Sequence, residues 1–318
     1  MYPSTEVSAP HDLDIGVVYT HERHYMGPLL NSMSRSGDGL SMRLVLVDNA
    51  SADGAQPWRR IFPETLVLAN RERLGYTANL NRILSACTAR YVLLMNTDMY
   101  FEPESQCLSS MVRFMESHPH CGVGTCRIYH PDGSYAYPAR RFQTPRIIAL
   151  RRSGLGKLFP SGLDDYFYRE RGLNETFDCE WVSGCFMLVR RAAIQEVGGF
   201  DRRFQKYFED VDFCARMAQA GWKVMFNGST HCFHHEQRAS RRLLSKDAWQ
   251  HLCSYGRWLW KWGLRPPQPA RFTTASPGSP ARRIDAAHLD HGSRQPQEAS
   301  ARRRKQPPVR SGSNSSSP

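Results

Sequence analysis

Residues 91–98, Tyr-Val-Leu-Leu-Met-Asn-Thr-Asp, constrain the fold more than any other stretch of the chain. Five apolar or aromatic residues in succession, Tyr91 to Met95, predict a strand buried on both faces, as strands inside a parallel sheet are. The run ends in Asn96 and Asp98, two oxygen-bearing side chains at i, i+2. At the carboxyl end of a buried parallel strand, such a pair projects hard oxygen ligands into the crevice where open α/β sheets hold their ligands. Asn and Asp also make ordinary turns, so the rest of the chain has to decide between the two.

Further short apolar runs repeat the pattern. Residues 15–20 form a β-rich run, followed by a helical stretch over about 26–36. The next runs, 43–47 and 66–69, precede a helix over about 77–86, and the 91–95 run comes fourth. Strands alternating with crossovers of this length imply βαβ units and a parallel sheet. At 318 residues and 41% hydrophobic, the chain can bury a large core.

In a parallel sheet the carboxyl ends of the strands share one edge, so Asp48 and Asn49 open into the same crevice as Asn96, Thr97 and Asp98. Between them, Gly75 precedes a helix start with Asn79 and Asn81 just inside it. A Gly turn at a helix N-terminus can accept an anion or a base edge, and it can equally be a plain turn. Neither G-x-G-x-x-G after the first strand nor G-x-x-x-x-G-K-[ST] is present, which removes the usual support for nicotinamide and P-loop chemistry. Phosphate chemistry here would have to go through a metal.

The second half reads as a helix over 104–117, a strand over 122–129 and a His-Pro-Asp-Gly-Ser turn at 130–134 leading into a hairpin. Residues 141–177, rich in Arg and broken by Gly and Pro, read as an insertion or loop able to cover the crevice. One or two strands follow over 177–189, then a helix over 190–197 closed by Gly198-Gly199. Glu209, Asp210 and Asp212 put three carboxylates in four residues among aromatics at a helix start. Carboxylates there can do chemistry, or can simply complement the helix dipole. A last strand over 221–226 is followed by His231, His234 and His235.

Taken in order, these stretches resemble the family 2 glycosyltransferases with a GT-A fold, and among them a bacterial rhamnosyltransferase-like branch. The likeness covers about residues 14–262. It rests on 18–23, 47–51, 70–81, 94–98, 181–184, 198–201, 207–212, and His234-His235 with Ser240. It implies a Rossmann-like α/β fold, a mixed and mostly parallel sheet flanked by helices, over residues 14–242, after a ragged start at 1–13. It also implies an inverting transfer from a nucleotide-sugar donor, a dTDP- or UDP-sugar, to a glycan or lipid-linked acceptor in cell-surface polysaccharide synthesis. By the same resemblance, Asp98 and, less directly, Asn96 hold Mg²⁺ or Mn²⁺, with His234 first and His235 second as the further ligand. The chain departs from the family pattern in carrying Asn rather than Asp at position 96. Thr20, Glu22, Asp48, Asn49, Arg73, Asn79, Asn96, Thr97 and Asp98 fall where the family binds its donor. Asp210 is the expected general base, with Glu209 the alternative. The competing reading is a non-catalytic scaffold of the same fold that binds a nucleotide or glycan.

Residues 243–265 predict a helix carrying Trp249, Tyr255, Trp258, Trp260 and Trp262 beside Arg257, Lys261 and Arg265. Aromatics beside cations suit peripheral docking on the inner membrane, and a helix packed on the core is the alternative. Residues 266–318 hold nine Lys/Arg and three acids, half of the net charge of +12, and read as a disordered basic tail. No nucleic-acid fold signature accompanies the tail, so a nucleic-acid partner is not expected. The nine cysteines lack C-x-x-C spacing and read as buried free thiols in a reducing compartment. With no apolar leader and no run of roughly 20 apolar residues, the expected location is the cytoplasm.

Overall fold

The computed structural model describes residues 11–153, 160–235, 246–264 and 266. Residues 1–10 of the ragged start expected at 1–13, the tail beyond 266 and Ser240 lie outside them. The described residues fall in one compact unit.

Four parallel strands form one half of the central sheet: β1 (Leu13–Tyr19), β2 (Met42–Asp48), β3 (Thr65–Ala69) and β4 (Tyr91–Met95). The other half uses β5 (Met99–Tyr100), β6 (Cys121–Tyr129), β8 (Phe177–Asp178), β10 (Phe186–Arg190) and β11 (Lys223–His234). The order is β3-β2-β1-β4-β10-β6-β11-β5, with β8 beside β11. β10 runs antiparallel to β4 and β6, whereas β6 and β11 are parallel. A separate ribbon pairs β7 (Ala139–Arg140) with β9 (Trp181–Val182).

Period-2 alternation sorts each strand between two cores. Val92 and Leu94 of β4 pack on one face, and Tyr91, Leu93 and Met95 on the other. The first face is covered by α2 (Tyr76–Ala86), α6 (Arg191–Val197), α7 (Glu209–Gln219) and α8 (Lys246–Trp262). The second is covered by α1 (Arg23–Ser36) and α3 (Cys107–Ser117). Close approach of α2 to β1 depends on Gly16, where an added Cβ would lie 2.3 Å from Ile83 Cγ2 and 2.9 Å from Leu94 Cδ2.

Three sequence expectations change. The helix expected from 104 starts at Cys107, because residues 103–105 form a separate 3-10 turn and Gln106 is left-handed at φ 42°. The last strand does not stop at Phe226. It passes a register shift between Asn227 and His231 and continues to His234, so His231 and His234 lie on the strand. Asn227, Gly228 and Ser229 form an irregularity there, where a Cβ added to Gly228 would lie 2.4 Å from the Asn174 carbonyl carbon and 2.5 Å from the Glu175 carbonyl oxygen. The 141–177 segment holds α4 (Pro145–Ser153) and α5 (Pro160–Tyr166).

The aromatic C-terminal helix divides its side chains. Trp258 is buried against Phe142 and Phe208, and Trp262 Nε1 donates to Asp212 Oδ1 at 2.9 Å. Trp249, Leu252 and Trp260 are exposed on the opposite side. Among the described residues no helix is long and apolar enough to cross a membrane. All nine cysteines are free, and seven are buried.

Candidate active site

The parallel register places the ends of β1, β2 and β4 side by side. After β1, the Glu22 carboxylate turns back and accepts the N–H groups of Thr20 and His21, both at 3.0 Å. After β2, Asp48 accepts Ser51 N–H at 2.8 Å and Ala55 N–H at 3.0 Å. Both of its oxygens therefore shape the 49–55 loop. Sequence reasoning missed Asp53 on that loop, which accepts the Tyr19 hydroxyl at 2.6 Å and Arg23 Nη1 at 3.3 Å. The Tyr19 hydrogen bond, foremost, holds the Asp53 carboxyl below its ordinary value.

Asn49 and Asn79 act through a loop. Asn49 brackets Leu74, accepting its N–H at 2.8 Å and donating to its carbonyl at 3.2 Å. Asn70 Nδ2 donates to Asn49 Oδ1 and Asn79 Oδ1 at 2.8 and 2.7 Å. Asn79 is fully buried behind this network, whereas Arg73, on the turn it supports, is exposed. An interlocked amide network of this kind rigidifies the turn.

Antiparallel pairing of β5 with β11 sets His234 opposite Met99, next to Asp98. His234 Nε2 lies 3.0 Å from Asp98 Oδ1 and 3.4 Å from Asn96 Nδ2. Asp98, Thr97 and His234 are buried. Burial pushes the Asp98 carboxyl up, but the hydrogen bond and charge of His234 outweigh it and hold the group below its ordinary value. Burial lowers the His234 imidazole, but Cys185 and Asp98 together raise it to about 10. A cation bound by this pair has to displace the shared proton. His235 donates its backbone N–H to the Asp98 carbonyl oxygen at 2.9 Å, and its ring packs near Tyr25 and Tyr100.

The second acidic cluster opens α7. Tyr207 and Phe208 both take left-handed backbone at φ 67°, an arrangement non-glycine residues hold only when their surroundings enforce it. Here α8 supplies the surroundings: Tyr255 and Trp258 pack on the Phe208 ring. Asp210 accepts Gly184 N–H at 3.0 Å and Val211 N–H at 2.9 Å. Burial raises its carboxyl, and those two N–H groups and the nearby Arg140 charge oppose the rise. Glu209 is less well supported: its Oε2 is buried without a hydrogen-bond partner. Burial, then the Asp210 charge, push the Glu209 carboxyl to about 8. Asp212, the third carboxylate of the motif, is ion-paired to Arg216 and Lys261 and ties α7 to α8.

Two residues that sequence reasoning passed over join the clusters. Tyr76 OH donates to Asn96 Oδ1 at 3.3 Å, and its hydroxyl is raised by burial, then by the charges of Glu209 and Asp210. The Cys185 carbonyl accepts Asn96 N–H at 3.2 Å, one residue after the Gly184 that holds Asp210. Asp98, Asn96 and His234 therefore lie together at this edge of the sheet, and the Asp210 carboxylate is tied to the adjoining 184–185 segment.

Residues 14–198 match Glycosyl transferase family 2, and the chain belongs to that family. Curated relatives include N-acetylglucosaminyl-diphospho-decaprenol L-rhamnosyltransferase of Mycobacterium tuberculosis, 29% identical over 225 residues, 67% of this chain and 71% of the relative. Rhamnosyltransferase WbbL of Escherichia coli is 26% identical over 170 residues, 53% of this chain and 61% of the relative. Among solved structures, the mannosyltransferase PcManGT of Pyrobaculum calidifontis, in complex with GDP-Man and Mn²⁺, superposes with a TM-score of 0.52 at 18% identity. That superposition covers 79% of this chain and 65% of the other. GalNAc-T7 with UDP, GalNAc and Mn²⁺ superposes at 0.50 and 13% identity, covering 80% and 49%. These neighbours establish the GT-A fold for the chain.

Proposed function

We propose that the protein is a metal-dependent, inverting glycosyltransferase that moves rhamnose from a dTDP- or UDP-activated donor to a lipid-linked glycan in cell-surface polysaccharide synthesis. The observation that carries this reading is the convergence at one sheet edge of the Asp98–His234 pair and Asp210, 3.0 Å from the Gly184 N–H. Rhamnose and the lipid-linked acceptor are supported by the names of the Mycobacterium relative and of WbbL.

Asp98 and His234 offer carboxylate oxygen and imidazole nitrogen, with the Asn96 amide alongside, and this set would fit Mg²⁺ or Mn²⁺. Held by these residues, such an ion would supply countercharge for the departing diphosphate. Glu22 and Asp48 organise the two loops that receive the nucleoside, Thr20 lies on the first of them and Thr97 on the turn after β4, and Asn49 and Asn79 brace the turn that presents Arg73 to the diphosphate. Asp210 takes the acceptor hydroxyl proton as its oxygen attacks C1 and the bond from C1 to the diphosphate oxygen breaks. A single displacement inverts the anomeric centre, so a β-L-rhamnosyl donor yields an α-linked product. Asp210 accepts two backbone N–H groups, whereas Glu209 Oε2 has no hydrogen-bond partner, which favours Asp210 as the base.

A lipid-linked acceptor calls for a membrane surface, and the exposed Trp249, Leu252 and Trp260 of α8, near Arg257, are the parts of the helix free to meet one.

Incubation with a panel of nucleotide sugars and lipid-diphosphate saccharide acceptors, with Mn²⁺, Mg²⁺ or a chelator, tests the reading. Cation-dependent transfer from a dTDP- or UDP-deoxyhexose is expected. Donor binding without transfer or hydrolysis across the panel would establish the non-catalytic scaffold instead.

A further inference from the structure

On the α1/α3 side of the sheet, three cysteines distant in sequence meet. Cys107 is the first residue of α3, Cys126 lies on β6 and Cys232 on β11. All three are fully buried. Cys126 Sγ lies 3.7 Å from Cys107 Sγ and 3.7 Å from Cys232 Sγ, and the three sulfurs lie within 4.8 Å of one another.

We propose that Cys107, Cys126 and Cys232 form a three-thiolate site for a soft, thiophilic d¹⁰ cation. A point equidistant from three sulfurs at these spacings is roughly 2.1–2.4 Å from each, and a zinc–thiolate bond is about 2.3 Å. The side chains thus converge at coordination distance without rearrangement of the backbone. Sulfur selects soft ions, whereas the carboxylate–amide–imidazole group at Asp98 suits Mg²⁺ or Mn²⁺, so the two sites take different metals. Each thiol that ligates gives up its proton to solvent as the ion enters. The amino end of α3, an 11-residue helix, lies at Cys107 and favours the resulting negative charge.

The position gives the site a structural consequence. Cys232 precedes His234 by two residues on β11, so the same face of that strand carries both. An ion held by the three sulfurs pins β11 to β6 and α3 directly behind the histidine that meets Asp98.

The test uses the full chain, reduced and stripped of metal, titrated with Cd²⁺. Thiolate-to-metal charge-transfer absorption should rise to saturation at one equivalent per chain, with an increase in the melting temperature. Cys126→Ser should lose the band, whereas Cys179→Ser, altering a buried thiol outside the cluster, should keep it. ¹¹³Cd NMR of the unaltered protein gives a second readout that does not depend on a variant folding, and a sulfur-rich resonance is expected. Absence of that resonance, absorption that appears only after denaturation, or a band undiminished in Cys126→Ser overturns the proposal.

Discussion

The backbone N–H of Gly184 donates to Asp210 Oδ2 at 3.0 Å, and the adjoining Cys185 carbonyl accepts the N–H of Asn96 at 3.2 Å. Two consecutive residues therefore tie the proposed base to the turn that carries Asp98. In the proposed reaction this would couple the position of the proton acceptor to that of the diphosphate end of the donor.

Asp210→Asn should retain donor affinity and lose transfer by about 10²–10⁴-fold, the usual worth of a positioned general base. Initial rates together with calorimetric donor binding check this. Glu209→Gln should fall far less; equal losses in the two variants would show that the pair acts as one unit.

Glu209 also makes a prediction about stability. Its carboxyl is raised from 4.5 to about 8 by burial and the Asp210 charge. Between those values the unfolded chain has released a proton that the folded chain keeps, so stability falls as pH rises. The contribution is complete below about 4.5 and is gone above about 8. Urea unfolding of Glu209→Gln from pH 5 to 8 should show a shallower decline than the unaltered protein, and greater stability at pH 8.

Asp98→Ala should abolish cation-dependent donor binding while the protein remains folded. Removing the carboxylate also removes one of the two groups, with Cys185, that raise the His234 imidazole. Titration with Mn²⁺ and a nucleotide diphosphate, followed by calorimetry, reports the loss; unchanged cation dependence would move the metal elsewhere.

Trp258→Ala should destabilise the protein by about 3–5 kcal/mol, the usual cost of deleting a buried aromatic side chain. It should also slow transfer, because Trp258 packs on Phe208, whose left-handed backbone sets the start of α7. Denaturant unfolding and initial rates measure the two effects.

Trp249→Ala combined with Trp260→Ala should leave the unfolding midpoint within experimental error, since both side chains are largely solvent-exposed, at 69% and 81%. Sedimentation with anionic vesicles should then show a several-fold drop in bound protein. Unchanged binding would remove α8 from the membrane contact.

Much of the first half was legible in the sequence. Runs such as Leu44–Val47 and Tyr91–Met95 are short, continuous and apolar, a pattern that buried parallel strands share with little else of that length. Their carboxyl ends carry Asp48 and Asp98, so a shared crevice follows from topology alone. The second half was less legible. An Asn-Gly-Ser sequence ends a strand by local rules, yet β11 continues through it, because pairing with β6 resumes at His231. Local pattern likewise could not divide the tryptophans of α8 between core and solvent, since Trp258 and Trp260 differ only in which neighbours they meet.

The sequence by itself determined the alternating β and α segments, the parallel half of the sheet, and the residue types able to bind a cation and accept a proton. Those follow from apolar periodicity and from the chemistry of single side chains. Only the tertiary structure decided which of them act together. Asp98 meets His234, 136 residues away, through the antiparallel β5–β11 pairing. Asp210 is held by Gly184, and Glu209 is left without a partner for one oxygen. Contacts between residues so far apart in the chain are fixed by strand order and register, which no short window of sequence contains.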